Sequence, residues 1–165
     1  MKSFMRDLPE IKELKKLEQI SKKEGSGVVY EELLGIWKFQ YLCKKGSDEI
    51  DNISSFILKV LSAKLELNKR NSEGNMNYEI RNSIDFGLLN ITFIGRAKLQ
   101  GSRPNLPFYF ENLKVNIGNL QILSMSFQKP EDKKMPFFSL VGISKEDNWM
   151  CARGRGGGLA IWVKS

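Results

Sequence analysis

The sequence predicts a mainly antiparallel β-domain closed into a small barrel, with an α-helix ahead of it and a short helical insertion after the first strand. Three observations predict it. From residue 34 onward, short runs rich in β-branched and aromatic residues are separated by turn residues, the spacing of a sheet that closes on itself or stacks on a second one. Helical patterns do not alternate with these runs, which disfavours a parallel α/β sheet. Closure would also remove exposed strand edges, which favours a barrel. At 165 residues, 41% hydrophobic and 27% charged, the chain fits one domain over 1–165 with a core that needs no staples.

The elements follow in order. Residues 8–24 carry Ile11, Leu14, Leu17 and Ile20 at a three-residue step, which drifts slowly around a helix but keeps one face mostly apolar. Pro9 suits the first turn and Gly25 the stop, and lysines 12, 15, 16, 22 and 23 fall on the opposite face. The barrel is expected over 33–165, beginning with Leu34 to Cys43. Residues Asp48 to Leu61, with Ile50, Ile53, Ile57 and Leu61 on one side and Asp51 near the start, predict the helical insertion.

Eight further strands are expected at Ala63–Lys69, Met76–Phe86, Leu89–Gln100, Phe108–Val115, Gln121–Phe127, Phe137–Ile143, Trp149–Arg153 and Leu159–Lys164. In Leu89–Gln100, Ile91, Phe93, Ala97 and Leu99 share one face, while Thr92, Arg96, Lys98 and Gln100 share the other. Met76, Tyr78, Ile80 and Ile84 likewise share a face, with Asn82 a polar intruder on it that needs a partner. The phase slips between Phe108, Phe110 and Leu113, Val115, which predicts a bulge near Asn112 that bends the sheet toward closure.

Composition narrows the function classes. There is no histidine, the commonest general base at neutral pH and the commonest transition-metal ligand. Cys43 and Cys151 lie far apart without ligand spacing and read as reduced, buried thiols. Glu31, Glu32, Asp48, Glu49 and Asp51 are near one another in sequence, but acidic residues at helix starts are common for dipole reasons. The expectation is a non-catalytic protein with no cofactor and no metal. The start, MKSFMRDLPEIKELKK, lacks a signal peptide's apolar stretch, and no run of about 18 apolar residues offers a membrane span, so a cytoplasmic location is expected. A net charge of +7 draws the chain toward anionic surfaces, lipid or nucleic acid.

Two segments are distinctive. The first β-run opens Leu34-Gly35-Ile36-Trp37, where the glycine lets the backbone turn tightly and the indole can plug one end of a barrel. Near the other terminus, Arg153-Gly154-Arg155-Gly156-Gly157-Gly158-Leu159 forms a tight turn between two short strands. Together, Gly35 and Trp37 with Tyr41, and Arg153, Gly154 and Gly157 with Leu159, resemble the plastid lipid-associated proteins, or fibrillins. Their barrel begins L-x-G-x-W-x-x-x-Y and ends near an R-G-x-x-G-x-L hairpin. Met150 and Cys151 stand where that family often has a second basic residue. The resemblance implies a lipocalin-like barrel that binds a lipophilic molecule (a carotenoid, quinone, tetrapyrrole or acyl lipid). It also implies a place at photosynthetic membranes or lipid globules; the lack of the plant members' transit peptide fits a cyanobacterial-type or already-mature form, and the positive charge predicts peripheral contact with anionic thylakoid lipid.

Alternation places Phe39, Ile84, Phe93, Phe108, Phe110, Phe138 and Trp149 inside the barrel beside Trp37, and these are the candidate ligand-binding residues. A barrel of about eight strands can be filled by such side chains or can hold one ligand, and alternation is satisfied by both. Trp37 is expected to close the floor, with Arg153 or Arg155 stacked on it. Two alternatives stand beside this one. A basic Gly-rich hairpin with Tyr109, Trp149 and Trp162 could bind nucleic acid, but one R-G-R-G-G-G stretch is unlike the repeated segments that do so, and its glycines suit turns with positive φ. A bilin lyase, also a lipocalin-like barrel, is the enzymatic alternative.

Overall fold

A computed structural model describes residues 8–51, 63–70 and 77–165. Among the described residues two helices precede nine strands: α1 (Ile11–Glu24), α2 (Tyr30–Leu33), β1 (Gly35–Cys43), β2 (Lys64–Lys69), β3 (Asn77–Phe86), β4 (Leu89–Lys98), β5 (Asn105–Ile117), β6 (Leu120–Ser126), β7 (Phe137–Ser144), β8 (Trp149–Gly154) and β9 (Leu159–Lys164). All nine expected strands are present. Of the expected helical insertion, residues 52–61 lie outside the described residues; Asp48 and Glu49 form a bend and Ile50 is bridged to Cys43. The four-residue α2 carries no sequence pattern long enough to predict it. Among the described residues no helix is long and apolar enough to cross a membrane.

The strands form one antiparallel sheet in the order β4-β3-β2-β1-β9-β8-β7-β5-β6, and β4 also pairs with β5. That last pairing closes a hydrogen-bonded ring, with β6 appended outside it. β5 makes this possible because it is long: Asn105–Pro107 pair with β7, whereas Asn112–Ile117 pair with β6. Between the two partners the β4–β5 register slips, with Ile94 opposite Asn112 and Gly95 opposite Phe110. Glu111 is the extra residue, so the bulge predicted near Asn112 is present. Gly95 is what lets the strands approach there, since a Cβ on it would lie 1.9 Å from the Tyr109 carbonyl oxygen.

Alternation sorts the apolar side chains into two clusters on opposite faces of the sheet. Inside the ring lie Trp37, Phe39, Leu65, Leu67, Tyr78, Ile80, Leu106, Leu140, Met150 and Trp162. Outside it, α1 covers a second cluster of Leu14, Cys43, Val141, Trp149, Cys151, Leu159, Ile161 and Val163. Both cysteines are free and buried there, and burial raises both thiol pKa values.

The helix packs Ile11, Leu14 and Leu17 of its predicted apolar stripe against the sheet and leaves out only the last, Ile20. Leu14, Leu17, Glu18 and Ser21 face the sheet at helical spacing, and Ile20 has drifted out to 43% exposure. Gly142 of β7 leaves the space that Leu17 enters, because a Cβ there would come within 2.6 Å of Leu17 Cδ2. The buried Glu18 carboxylate is answered by Arg153, whose Nε and Nη2 donate to its two oxygens at 2.5 and 2.6 Å. That paired hydrogen bond holds the carboxyl below its usual pKa.

Candidate functional site: an aromatic face at one end of the ring

One end of the ring is closed by α2. Trp37 is 1% exposed, and its indole N–H donates to the Leu33 carbonyl at 2.8 Å. The Tyr78 hydroxyl donates to the Tyr30 carbonyl at 2.9 Å, and the two rings stack with centroids 4.4 Å apart. Lys164 Nζ donates to the Glu32 carbonyl and lies 5.1 Å from the centre of the Trp37 ring. Thus α2 is tied to β1, β3 and β9 at once. The cation on Trp37 is Lys164 and not Arg153 or Arg155, because Trp37 and Lys164 are cross-strand partners. The glycine hairpin lies at the far end of β9, where Leu159 pairs with Cys43. Gly35, at φ 127°, leaves room for the Lys164 side chain to cross it.

Away from this end the interior becomes aromatic and less enclosed. Phe39 meets Trp162 edge-on at 6.3 Å, and Trp162 meets Phe138 at 5.6 Å. Phe138 stacks on Phe108 at 4.9 Å, Phe108 touches Phe110 at 5.6 Å, and Phe110 touches Phe93 at 5.2 Å. The spacings are those of favourable aromatic pairs. The chain starts at the buried Phe39 and ends among half-buried rings. Five of the eight residues expected to line the interior are therefore joined in one row, and Trp162, which had no assigned place in it, supplies the link.

Cross-strand register continues the row into an apolar face on β3 to β6. Ile84, Ile91, Val115 and Leu123 stand side by side, as do Phe86, Leu89, Ile117 and Leu120. Ile84 thus lies on the expected face but further out, half-buried. All seven residues of β6 are exposed, as are Phe86 and Leu88 at 58% and 74%. Residues 86–95 and 115–128 contain no charged side chain, although 27% of the chain is charged. The two hairpin tips are joined by a hydrogen bond from the Gly118 N–H to the Leu88 carbonyl at 2.8 Å. Contiguous exposed apolar patches mark protein, membrane or ligand contact sites, or faces prone to aggregation. The signal for this face was present as the absence of charge from those two stretches.

Trp149 is a correction. It lies in the outer cluster beneath α1, on the sheet face opposite the aromatic row. Its neighbour Met150 takes the inner position instead, opposite Trp162. The β7–β8 register slips between Leu140 and Gly142, where an extra residue exchanges the two faces, and spacing counted from Phe138 does not see it.

The glycine hairpin is held by its own arginines. Arg153 bonds Glu18 and also donates through Nη1 to the Gly157 carbonyl. Arg155 donates through Nη1 to the Met135 carbonyl at 3.0 Å and through Nη2 to the Lys133 carbonyl at 2.8 Å. Of its glycines only Gly157 has positive φ, 89°, while Gly154 and Gly158 close the turn through a backbone bond at 2.9 Å. Comparison with protein-family models and with curated proteins gave no match to this chain.

Proposed function

We propose that the chain is a non-catalytic, lipocalin-like carrier that seats one elongated lipophilic molecule against the aromatic row. The observation that carries this reading is the continuous run from Phe39 through Trp162, Phe138, Phe108 and Phe110 to Phe93. It links a closed core to an apolar sheet face that no other described residue covers. A polyene, an isoprenoid quinone, a tetrapyrrole or an acyl chain matches that shape, because each is apolar along its length and can lie across stacked rings. The fibrillin resemblance of the two chain ends supports the same class of ligand. It also supports a working place beside anionic thylakoid lipid, which a net charge of +7 favours. The nucleic-acid alternative draws on the arginines of the glycine hairpin, and both of those guanidinium groups are occupied within the protein.

Native purification from a photosynthetic host, followed by solvent extraction and mass spectrometry, tests the reading directly. A stoichiometric pigment, quinone or lipid is expected. Titration of the empty protein with a carotenoid or quinone should quench tryptophan fluorescence saturably, since Trp162 belongs to the row. The variant Phe93→Ser with Phe110→Ser should weaken that titration at least tenfold while keeping the parent's far-ultraviolet circular dichroism, at a lower melting temperature because Phe110 packs against the core. No extracted molecule and no saturable quench would reduce the aromatic row to packing alone.

A further inference from the structure

We propose that the outer face of the sheet carries a second binding site, for a ligand bearing a phosphate or sulfate ester on a planar or apolar body. On β5, Pro107 and Tyr109 alternate with Leu106, Phe108 and Phe110 and point away from the aromatic row. Over them lies a cleft of about 740 Å³ between the sheet and the segment 127–136. Among the described residues its floor includes Tyr109 and Phe137, and its rim holds four cations, Arg70, Arg96, Lys98 and Lys129, against one carboxylate, Asp132.

The four cations converge on the cleft from three segments, with Arg96, Lys98 and Lys129 exposed and Arg70 half-buried. Arg96 and Lys98 are two residues apart on one face of β4, so their side chains emerge roughly 7 Å from each other. Lys98 is the cross-strand partner of Asn77, whose carbonyl accepts from the backbone N–H of Arg70, so Arg70 joins the same corner. Arg96 is answered by Glu111 at 2.6 Å, and Lys129 sits over the Tyr109 ring, 3.7 Å from Asp132. Among the described residues neither Arg70 nor Lys98 has a carboxylate at salt-bridge distance. Like charges gathered in a concavity raise the local concentration of anions, and an arginine beside a lysine is a common way to hold oxyanions.

The wall of the cleft is itself built into place. Arg155, the second arginine of the glycine hairpin, bonds the carbonyls of Lys133 and Met135, and the Phe108 N–H donates to the Pro136 carbonyl at 3.0 Å. Arg155 is thus a positioning residue: it spends all of its guanidinium contacts on the loop that faces the four cations. The inference is independent of the carrier reading, since the cleft and the aromatic row lie on opposite faces of β5.

Calorimetric titration with phenyl phosphate, which joins a phosphate ester to a planar ring, tests a soluble ligand. Sedimentation with vesicles of phosphatidylglycerol in neutral lipid tests a headgroup as the source. Two double variants are compared: Arg70→Gln with Lys98→Gln in the cleft, and Lys16→Gln with Lys23→Gln on the exposed face of α1, which removes equal charge elsewhere. In at least one assay the cleft variant should bind tenfold or more weakly, while the α1 variant matches the parent. Phenyl phosphate binding identifies a soluble ester, and vesicle binding alone identifies a lipid headgroup. Equal loss in both variants, or saturable binding in neither assay, overturns the proposal.

Discussion

Strands β8 and β9 and strand β6 are all apolar, yet they end in opposite surroundings. Trp149 to Ala152 and Leu159 to Val163 are buried at every position, because the ring interior takes one face and α1 takes the other. Leu120 to Ser126 are exposed at every position. Both segments show the same propensity for extended backbone, so propensity does not separate them. What separates them is place in the sheet: β8 and β9 lie within the ring with α1 across their outer face, whereas β6 is appended outside the ring and has neither cover among the described residues. An apolar strand covered on both faces stabilises the fold, whereas one covered on neither among the described residues is available to a ligand.

This contrast predicts where substitutions are felt. Trp37→Ala, inside the closed end, should cost about 3–5 kcal/mol through the cavity it leaves and the Leu33 carbonyl it orphans. An unchanged melting midpoint would remove Trp37 from the core. Gly95→Ala forces a Cβ against the Tyr109 backbone at the β5 bulge and should cost about 2–3 kcal/mol, read in chemical denaturation. Since the obstacle is backbone, Gly95→Ser should be no better tolerated.

Arg153→Ala tests the tie between α1 and the sheet. A cost of about 2 kcal/mol is expected, less than for a fully enclosed pair because the guanidinium is one-quarter exposed and Lys22 still reaches Glu18 at 3.3 Å. The same pair sets an acid limit. Glu18 has a folded pKa below its unfolded one, so its contribution is fully present above the unfolded value, near 4.5, and is lost as pH falls through the folded value. Denaturation midpoints should therefore drop more steeply on acidification in the parent than in Glu18→Gln, and parallel curves would refute the assignment.

The smallest effect is expected in β6. Leu123→Ser with Met125→Ser should change stability by under about 0.5 kcal/mol, as at exposed positions generally. Loss of more than about 2 kcal/mol would show that the apolar face is covered within the protein and would count against the carrier proposal.

Much of the fold was legible in the residues themselves. Nine strands are visible because period-2 alternation and turn residues are local signals, and the phase slip after Phe110 announced the bulge one residue from its place at Glu111. All but one ring of the aromatic row was legible: Phe39, Phe93, Phe108, Phe110 and Phe138 follow from alternation within their own strands, and Trp162 completes the row. Trp149 did not follow, because the slip at Val141 has no marker comparable to the one in β5. The conspicuous arginines are the cations that the sequence offers to Trp37, whereas Lys164 reaches it by the pairing of β1 with β9.

The sequence by itself determined which segments extend, where they turn, and which side chains each strand presents together. These depend on neighbours within a few residues. Only the tertiary structure decided that Glu18 meets Arg153 across 135 positions, that α1 covers β8 and β9, and that β5 serves β7 with one half and β6 with the other. Those outcomes depend on which surfaces the closed ring leaves facing one another. A buried carboxylate and a distant guanidinium carry no mutual signal until closure removes the water from both.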